Sequence, residues 1–117
     1  MLYRNKPKKI FLYGKPVDFR KQAVGLASIV DAEFRGELFS SWFLFVSRDK
    51  KKAKILYWRD AGFALWNLRL EKSLFDLGRP RYSGKQEISW RNLGRLLDGY
   101  NIFVGHPHEK IPPKRFS

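Results

Sequence analysis

The spacing of apolar and polar residues divides the chain into short strands and two amphipathic helices. A helix is predicted at residues 18–34, where apolar side chains recur every three or four positions and therefore share one face. Those side chains are Phe19, Ala23, Leu26, Ala27, Val30 and Phe34. Asp18 is placed to act as the N-cap of this helix, and Gly36 comes just after its end.

Strands are predicted where apolar and β-branched residues cluster without helical spacing, at residues 10–13, 42–47, 53–58 and 63–70. The run 42–47 is unbroken, which indicates a strand buried on both faces. The run 63–70 alternates: one face carries Ala64, Trp66, Leu68 and Leu70, and the other carries Asn67 and Arg69. Because short loops join the last three strands, they are expected to pair antiparallel as a meander.

The remaining third of the chain has a weaker pattern. A short helical turn is predicted at residues 70–76, followed by a loop up to residue 86. A second helix is predicted at residues 90–98, with Ser89 as its N-cap and Ile88 packing on Leu93 as a hydrophobic staple.

Together these elements predict an α+β fold, in which two main helices pack on an antiparallel meander sheet of three to four strands. The chain is expected to form one domain over residues 1–105, which begins with a basic arm at residues 1–9. Three prolines and three basic residues favour a flexible basic tail at residues 106–117.

Composition narrows the class of protein. The chain has 117 residues, of which 44% are hydrophobic, so its bulk is expected to fold rather than remain disordered. It lacks cysteine, which excludes disulfides. Its longest stretches without a charged residue, such as 38–47, have ten residues, about half of what a membrane-spanning helix needs. The expected location is the cytoplasm, in association with the nucleoid if the protein binds DNA.

Charge is the strongest functional indication. Lys and Arg total 24 against 11 Asp and Glu, a formal net charge of +13. Such an excess repels itself in a compact fold and favours a polyanionic partner. The loop between the second and third predicted strands concentrates this charge in Arg48, Lys50, Lys51, Lys52 and Lys54. A charged hairpin tip can contact phosphates, although the same residues can also serve as a solvated, aggregation-resistant tip.

Outside this loop, the sequence has fewer candidates for nucleic-acid contact. Arg20 and Lys21 lie in the predicted first turn of the first helix, where they are free to contact phosphate if Asp18 caps the helix. Arg69 and Asn67 lie on the polar face of their strand, where they can contact base edges or simply face solvent. Four aromatic side chains can in principle stack on unpaired bases: Tyr57, Trp58, Phe63 and Trp66. Aromatic residues at strand spacing, however, favour a core role.

Catalysis has little support in the sequence. The acidic residues are scattered without a metal-binding spacing, and His106 and His108 alone make a poor metal site, so neither a metal nor a cofactor is expected. A metal-free ribonuclease that uses Tyr57, Lys54, Arg69 and His106 remains a second hypothesis, although no spacing brings these residues together. A third hypothesis is a protein-only adaptor whose basic face meets an acidic surface.

Several ordered motifs resemble one protein family. These are residues 11–26 (FLYGKPVDFRKQAVGL), residues 43–71 (FLFVSRDKKKAKILYWRDAGFALWNLRLE) and the LLDG of residues 96–99. In order and spacing they resemble the TnpB accessory protein of IS-sixty-six type bacterial insertion sequences, over about residues 10–102. This family is unrelated to the RNA-guided nuclease of the same name. The resemblance implies a protein that assists transposition beside a separate, larger transposase.

Charge and resemblance lead to one functional prediction. The chain is expected to be a non-catalytic accessory protein of insertion-sequence transposition that binds DNA through phosphates, assists the transposase, or does both. The expected partners are DNA, either element ends or non-specific duplex, and the transposase of the element. RNA remains an open alternative to DNA. The predicted nucleic-acid contacts are Arg20, Lys21, Arg48, Lys50, Lys51, Lys52, Lys54 and Arg69.

Overall fold

A computed structural model of the chain describes residues 7–71, 74–75 and 85–98. The strands are β1 (Ile10–Tyr13), β2 (Trp42–Val46), β3 (Lys52–Arg59), β4 (Gly62–Arg69) and β5 (Lys85–Ile88), and the helices are α1 (Ala23–Glu33) and α2 (Trp90–Leu97). The proposed arm and tail lie mostly outside these residues, since 1–6 and 99–117 are not described. No helix in the described part is long and apolar enough to cross a lipid bilayer.

The five strands form one mixed sheet in the order β4-β3-β2-β1-β5. The prediction of an α+β fold is confirmed, and β2, β3 and β4 pair antiparallel as the predicted meander. The prediction that the whole sheet is an antiparallel meander is wrong, because β1 pairs with β2 in parallel. The chain leaves β1, forms α1 and returns beside β1 in the same direction, which is a connection that parallel neighbours require.

β5 was not predicted from the sequence, which gives the sheet one strand more than expected. It pairs antiparallel with β1, from Ile10 opposite Ile88 to Tyr13 opposite Lys85. The predicted helical turn at residues 70–76 is not found in the four residues of that range that the structure describes. There the chain instead bonds back to the loop before β3: Leu70 N donates to Lys51 O at 2.7 Å, and Phe75 N donates to Lys50 O at 2.7 Å.

α1 packs on one face of the sheet, hereafter the α1 face. Leu26, Val30 and Phe34 meet Phe43 and Leu56 there in a buried cluster. The predicted apolar stripe of the first helix is therefore confirmed as a packing surface. The opposite face, with Leu12, Leu44 and Ile55, packs with Leu93 and Leu96 of α2. The sheet is thus covered on both sides, which explains the unbroken apolar sequence of β2.

The N-terminus of α1 differs from the prediction. The helix begins at Ala23, and its N-cap is Gln22, which makes no side-chain capping bond. The assignment of Asp18 as the cap is wrong, because its carboxylate bonds instead to the backbone N–H and the guanidinium of Arg20. Residues 18–22 therefore form a short loop that leads into the helix.

The N-terminus of α2 matches the prediction. The Ser89 side chain accepts a hydrogen bond from Asn92 N at 3.0 Å, and Ile88 lies in the same buried cluster as Leu93. Ser89→Ala is expected to lower the free energy of unfolding by about 1 kcal/mol, because the amide of Asn92 loses its partner. Chemical denaturation measures this change. Ser28→Ala in the exposed part of α1 is the matched control and should change stability by no more than about 0.5 kcal/mol. Equal losses in both variants would contradict the capping role.

Candidate polyanion-binding site

One end of the sheet gathers much of the positive charge. Because of the strand directions, β1, β2 and β4 end there, and β3 and β5 begin there. We call this the basic end; its described cations are Lys15, Arg48, Lys50, Lys51, Lys52, Arg69 and Lys85. The described acids beside them are Asp18, Glu33, Asp49 and Glu71, fewer than the cations, so the basic end has an excess of positive charge. The opposite end has Lys8, Lys9 and Arg59, with Glu37 and Asp60 among them.

The loop between β2 and β3, the hairpin tip (residues 47–51), has a fixed conformation. The hydroxyl of Ser47 donates to Asp49 Oδ1 at 2.6 Å and accepts from Lys52 N at 3.0 Å. Asp49 Oδ1 also accepts from Lys51 N at 3.1 Å. Lys50 N donates to Ser47 O, and Lys50 has a φ of 61°, in the left-handed region. These bonds hold the tip in one hairpin turn, so its lysines project from an ordered backbone.

Four of the predicted contacts lie in the tip or directly after it, and all four are exposed. Arg48, Lys50, Lys51 and Lys52 all lie in contact with solvent, and Asp49 is turned back into the loop by its hydrogen bonds. The one acidic residue of this segment therefore organises the tip and leaves its cations available. Beside the tip, an open cavity of about 160 Å³ is lined by Lys15, Arg48 and Lys50 together with the chain that follows β1.

Asp49 also links the shape of the tip to pH. Hydrogen bonds from Ser47 and Lys51 N, with nearby Lys52, lower the pKa of this carboxyl. A carboxyl with a lowered folded-state pKa stabilises the fold above its unfolded pKa of about 3.9, and that contribution is lost as the pH falls through the folded value. The stability difference between wild type and Asp49→Ala is therefore expected to shrink as the pH falls below about 4. Urea denaturation from pH 7 to pH 2 measures it; a constant difference would contradict this role.

Three of the other predicted contacts are exposed at two further places. Arg69 is exposed at the end of β4 and lies opposite Lys52 in the sheet. Arg20 and Lys21 are exposed in the loop before α1, where Arg20 forms an ion pair with Asp18 at 2.8 Å. This pair lowers the pKa of Asp18 through the hydrogen bonds of Arg20.

Lys54 differs from the other predicted contacts. Its residue is only 7% exposed, and its ammonium donates to Phe19 O at 2.7 Å and to Lys21 O at 2.8 Å. It therefore ties the loop of residues 18–22 to β3 and does not extend towards solvent with the lysines of the tip. Burial, together with the charge of Lys52, lowers its pKa. Local sequence pattern cannot indicate this role, because it depends on a loop that lies 33 to 35 residues away.

Of the residues in the ribonuclease hypothesis, Lys54 and Arg69 line one cavity, and Tyr57 lies on the opposite face of the sheet. Tyr57 packs against Trp42 on the face of α2, with ring centres 4.8 Å apart, and Lys54 lies on the α1 face. His106 lies outside the described residues. In the described part of the chain, no group of three or more His, Asp or Glu side chains is placed to hold a metal ion.

The aromatic residues considered for base stacking are buried or half-buried in the structure. Tyr57 is buried, while Trp58, Phe63 and Trp66 are half-buried against neighbouring strands. Trp58 and Phe63 pack with Phe39, whose residue is 62% exposed, at the end of the sheet opposite the hairpin tip. These rings lie away from the basic end.

The fold and the basic end define a small basic α+β protein with an ordered, polycationic surface. The comparison with family models assigns this chain to a family: the model described as IS66 Orf2 like protein matches residues 8–106. The chain therefore belongs to the IS66 Orf2-like family, and its context is insertion-sequence transposition. Neither the comparison with curated proteins nor the comparison with solved structures gave a match.

Proposed function

We propose that this protein is a non-catalytic accessory factor of transposition that binds DNA through its phosphates. The observation that carries this proposal is the ordered hairpin tip, where Arg48, Lys50 and Lys51 are exposed next to Lys52, the first residue of β3. Because the tip is held by hydrogen bonds, little backbone freedom is lost when it contacts a strand. Family membership supports the transposition context.

The contacts expected at this surface set its specificity. Lysine ammonium groups bind phosphate as point charges, and phosphate contacts carry no sequence information directly. Near the tip, Arg69 and Asn67 are suited to base edges as well as to phosphates, because guanidinium and amide groups can form paired hydrogen bonds. Binding is therefore expected to be strong at low salt and only modestly selective among sequences.

The test of this function is a binding titration with the full chain. Duplexes of the element terminus and of scrambled sequence are compared at two salt concentrations, with and without the transposase. About six phosphate contacts predict a slope of log K against log salt near −5. Salt-independent binding, or no binding at low salt, would contradict the proposal. Binding to the transposase that survives nuclease treatment, without DNA binding, would instead support a protein-only adaptor.

A further inference from the structure

Four side chains form a block on the α1 face beside the hairpin tip. Lys52 lies opposite Arg69, and in the next row Lys54 lies opposite Asn67. Because alternate residues of a strand share a face, all four are neighbours on the same side of the sheet. The block has three cations and no carboxylate. Like charges directly opposite each other on a sheet are destabilising, so this arrangement favours an anion between them.

Lys54 forms the floor of this block. The two hydrogen bonds of its ammonium go to neutral carbonyls, Phe19 O and Lys21 O. In the part of the chain that the structure describes, no carboxylate lies within ion-pair distance of it. An ammonium has three N–H donors, so one donor remains after these two bonds. A buried charge is unfavourable unless it is paired, and an anion that reached Lys54 would supply the missing counter-ion.

The block opens into a cavity of about 390 Å³. Its charged and polar walls are Lys52, Lys54, Asn67 and Arg69, and Phe19 supplies an apolar wall whose ring centre lies 5.1 Å from the Lys54 ammonium. Lys52, Asn67 and Arg69 are exposed, so a ligand can enter from solvent. A water molecule takes up about 30 Å³, so the cavity has room for a phosphate group and part of its sugar.

We propose that this cavity binds a single phosphate group. Ammonium, guanidinium and amide N–H groups are the donors that phosphate oxygens accept most readily. Among the described residues, the nearest acids compete only weakly: Glu71 lies 3.9 Å from Arg69 Nε, and Asp18 is bonded to Arg20. The assignment of this phosphate to a nucleic acid rests on the proposed function. It comes either from within a strand or from the terminal monoester of a cleaved strand.

The test follows the full chain by NMR, using the side-chain amide of Asn67 and the ammonium of Lys54. Inorganic phosphate is expected to shift both signals saturably. Asn67→Asp places a carboxylate in the cavity and is expected to weaken phosphate binding at least about tenfold, while Asn67 itself is exposed and its replacement spares the core. Arg91→Ala on α2 is the control and should bind phosphate as wild type does. The Asn67→Asp variant has no side-chain amide at this position, so the Lys54 ammonium is the signal compared, and a Lys54 shift that persists unchanged in this variant would overturn the cavity as the site.

Oligonucleotides distinguish the two sources of phosphate. A terminal monoester predicts that a 5′- or 3′-phosphorylated strand binds about tenfold tighter than the same strand with hydroxyl ends. If the phosphorylated strand and the strand with hydroxyl ends bind with equal affinity, and Asn67→Asp weakens both equally, the site binds an internal phosphate.

A second comparison separates this proposal from the proposed function. If Lys50→Ala/Lys51→Ala weakens duplex binding and Asn67→Asp changes neither phosphate binding nor duplex binding, the hairpin tip stands as the DNA-binding surface and the cavity is overturned as the phosphate site. If phosphate binds to the cavity and no duplex binds to the chain, the proposed function fails and the phosphate site stands.

Discussion

Replacement of Lys50, Lys51 and Lys52 with alanine is expected to weaken duplex binding on the order of 100-fold at 0.1 M salt, equally for all sequences. Each lost phosphate contact reduces the salt slope by about 0.9, so three lost contacts reduce it by two to three units. A slope difference of about two units over the tenfold range of salt between 0.1 M and 1 M corresponds to a difference in affinity on the order of 100-fold. A mobility-shift titration at several salt concentrations measures both the affinity and the slope.

The control for this experiment removes the same charge from residues outside the basic end, two at the opposite end of the sheet and one on α2. Lys8→Ala/Arg59→Ala/Arg91→Ala changes the net charge from +13 to +10, as the triple lysine variant does, since 13 − 3 = 10. All three of its residues are exposed. If total charge governs binding, both variants weaken it equally. If the basic end is the binding surface, the control should keep at least most of the affinity. Equal loss in the two variants would remove the hairpin tip from the proposed site.

The two largest differences between prediction and structure concern β1 and β5. The apolar run of β1 was visible in the sequence, but its partner was not, because periodicity identifies strands and says nothing of which strands pair. The long connection through α1 was the available signal for the parallel pairing with β2. β5 could not be predicted because its sequence, Lys-Gln-Glu-Ile, has a single buried residue, Ile88, and so lacks an apolar pattern. This strand lies at the edge of the sheet.

In the candidate site, too, features set by neighbouring residues in the sequence could be predicted, and features set by contacts with distant residues could not. A run of cations between two strands predicts a charged hairpin tip, and Arg48 to Lys52 lie there. Lys54 belongs to the same run in sequence, yet it points into the protein, because the loop of residues 18–22 supplies two carbonyls above it. This contact also accounts for the shorter α1, since residues 18–22 form that loop and not a first helical turn. Neither effect can be predicted without the tertiary structure.

Phe43→Ala is expected to lower the free energy of unfolding by about 3–5 kcal/mol, the largest change in stability predicted for this chain. Phe43 is 0% exposed in the central strand β2, and its ring centre lies 5.1 Å from that of Phe34 and 5.9 Å from that of Phe11. The substitution leaves a cavity beneath α1 that neighbouring backbone cannot fill. Since small domains have a total stability of about 5–15 kcal/mol, the loss is a large fraction of it. Thermal and urea denaturation measure this change.

The matched control is Phe39→Ala, because Phe39 also contacts two aromatic rings but is largely exposed. It is expected to cost about 1 kcal/mol or less. Similar losses in both variants would mean that α1 does not cover a core on this face. That outcome would also affect the phosphate cavity, because the same packing holds α1 and the loop before it above Lys54. Phe43→Ala should therefore weaken phosphate binding at temperatures where the chain is still folded, whereas Phe39→Ala should leave it unchanged.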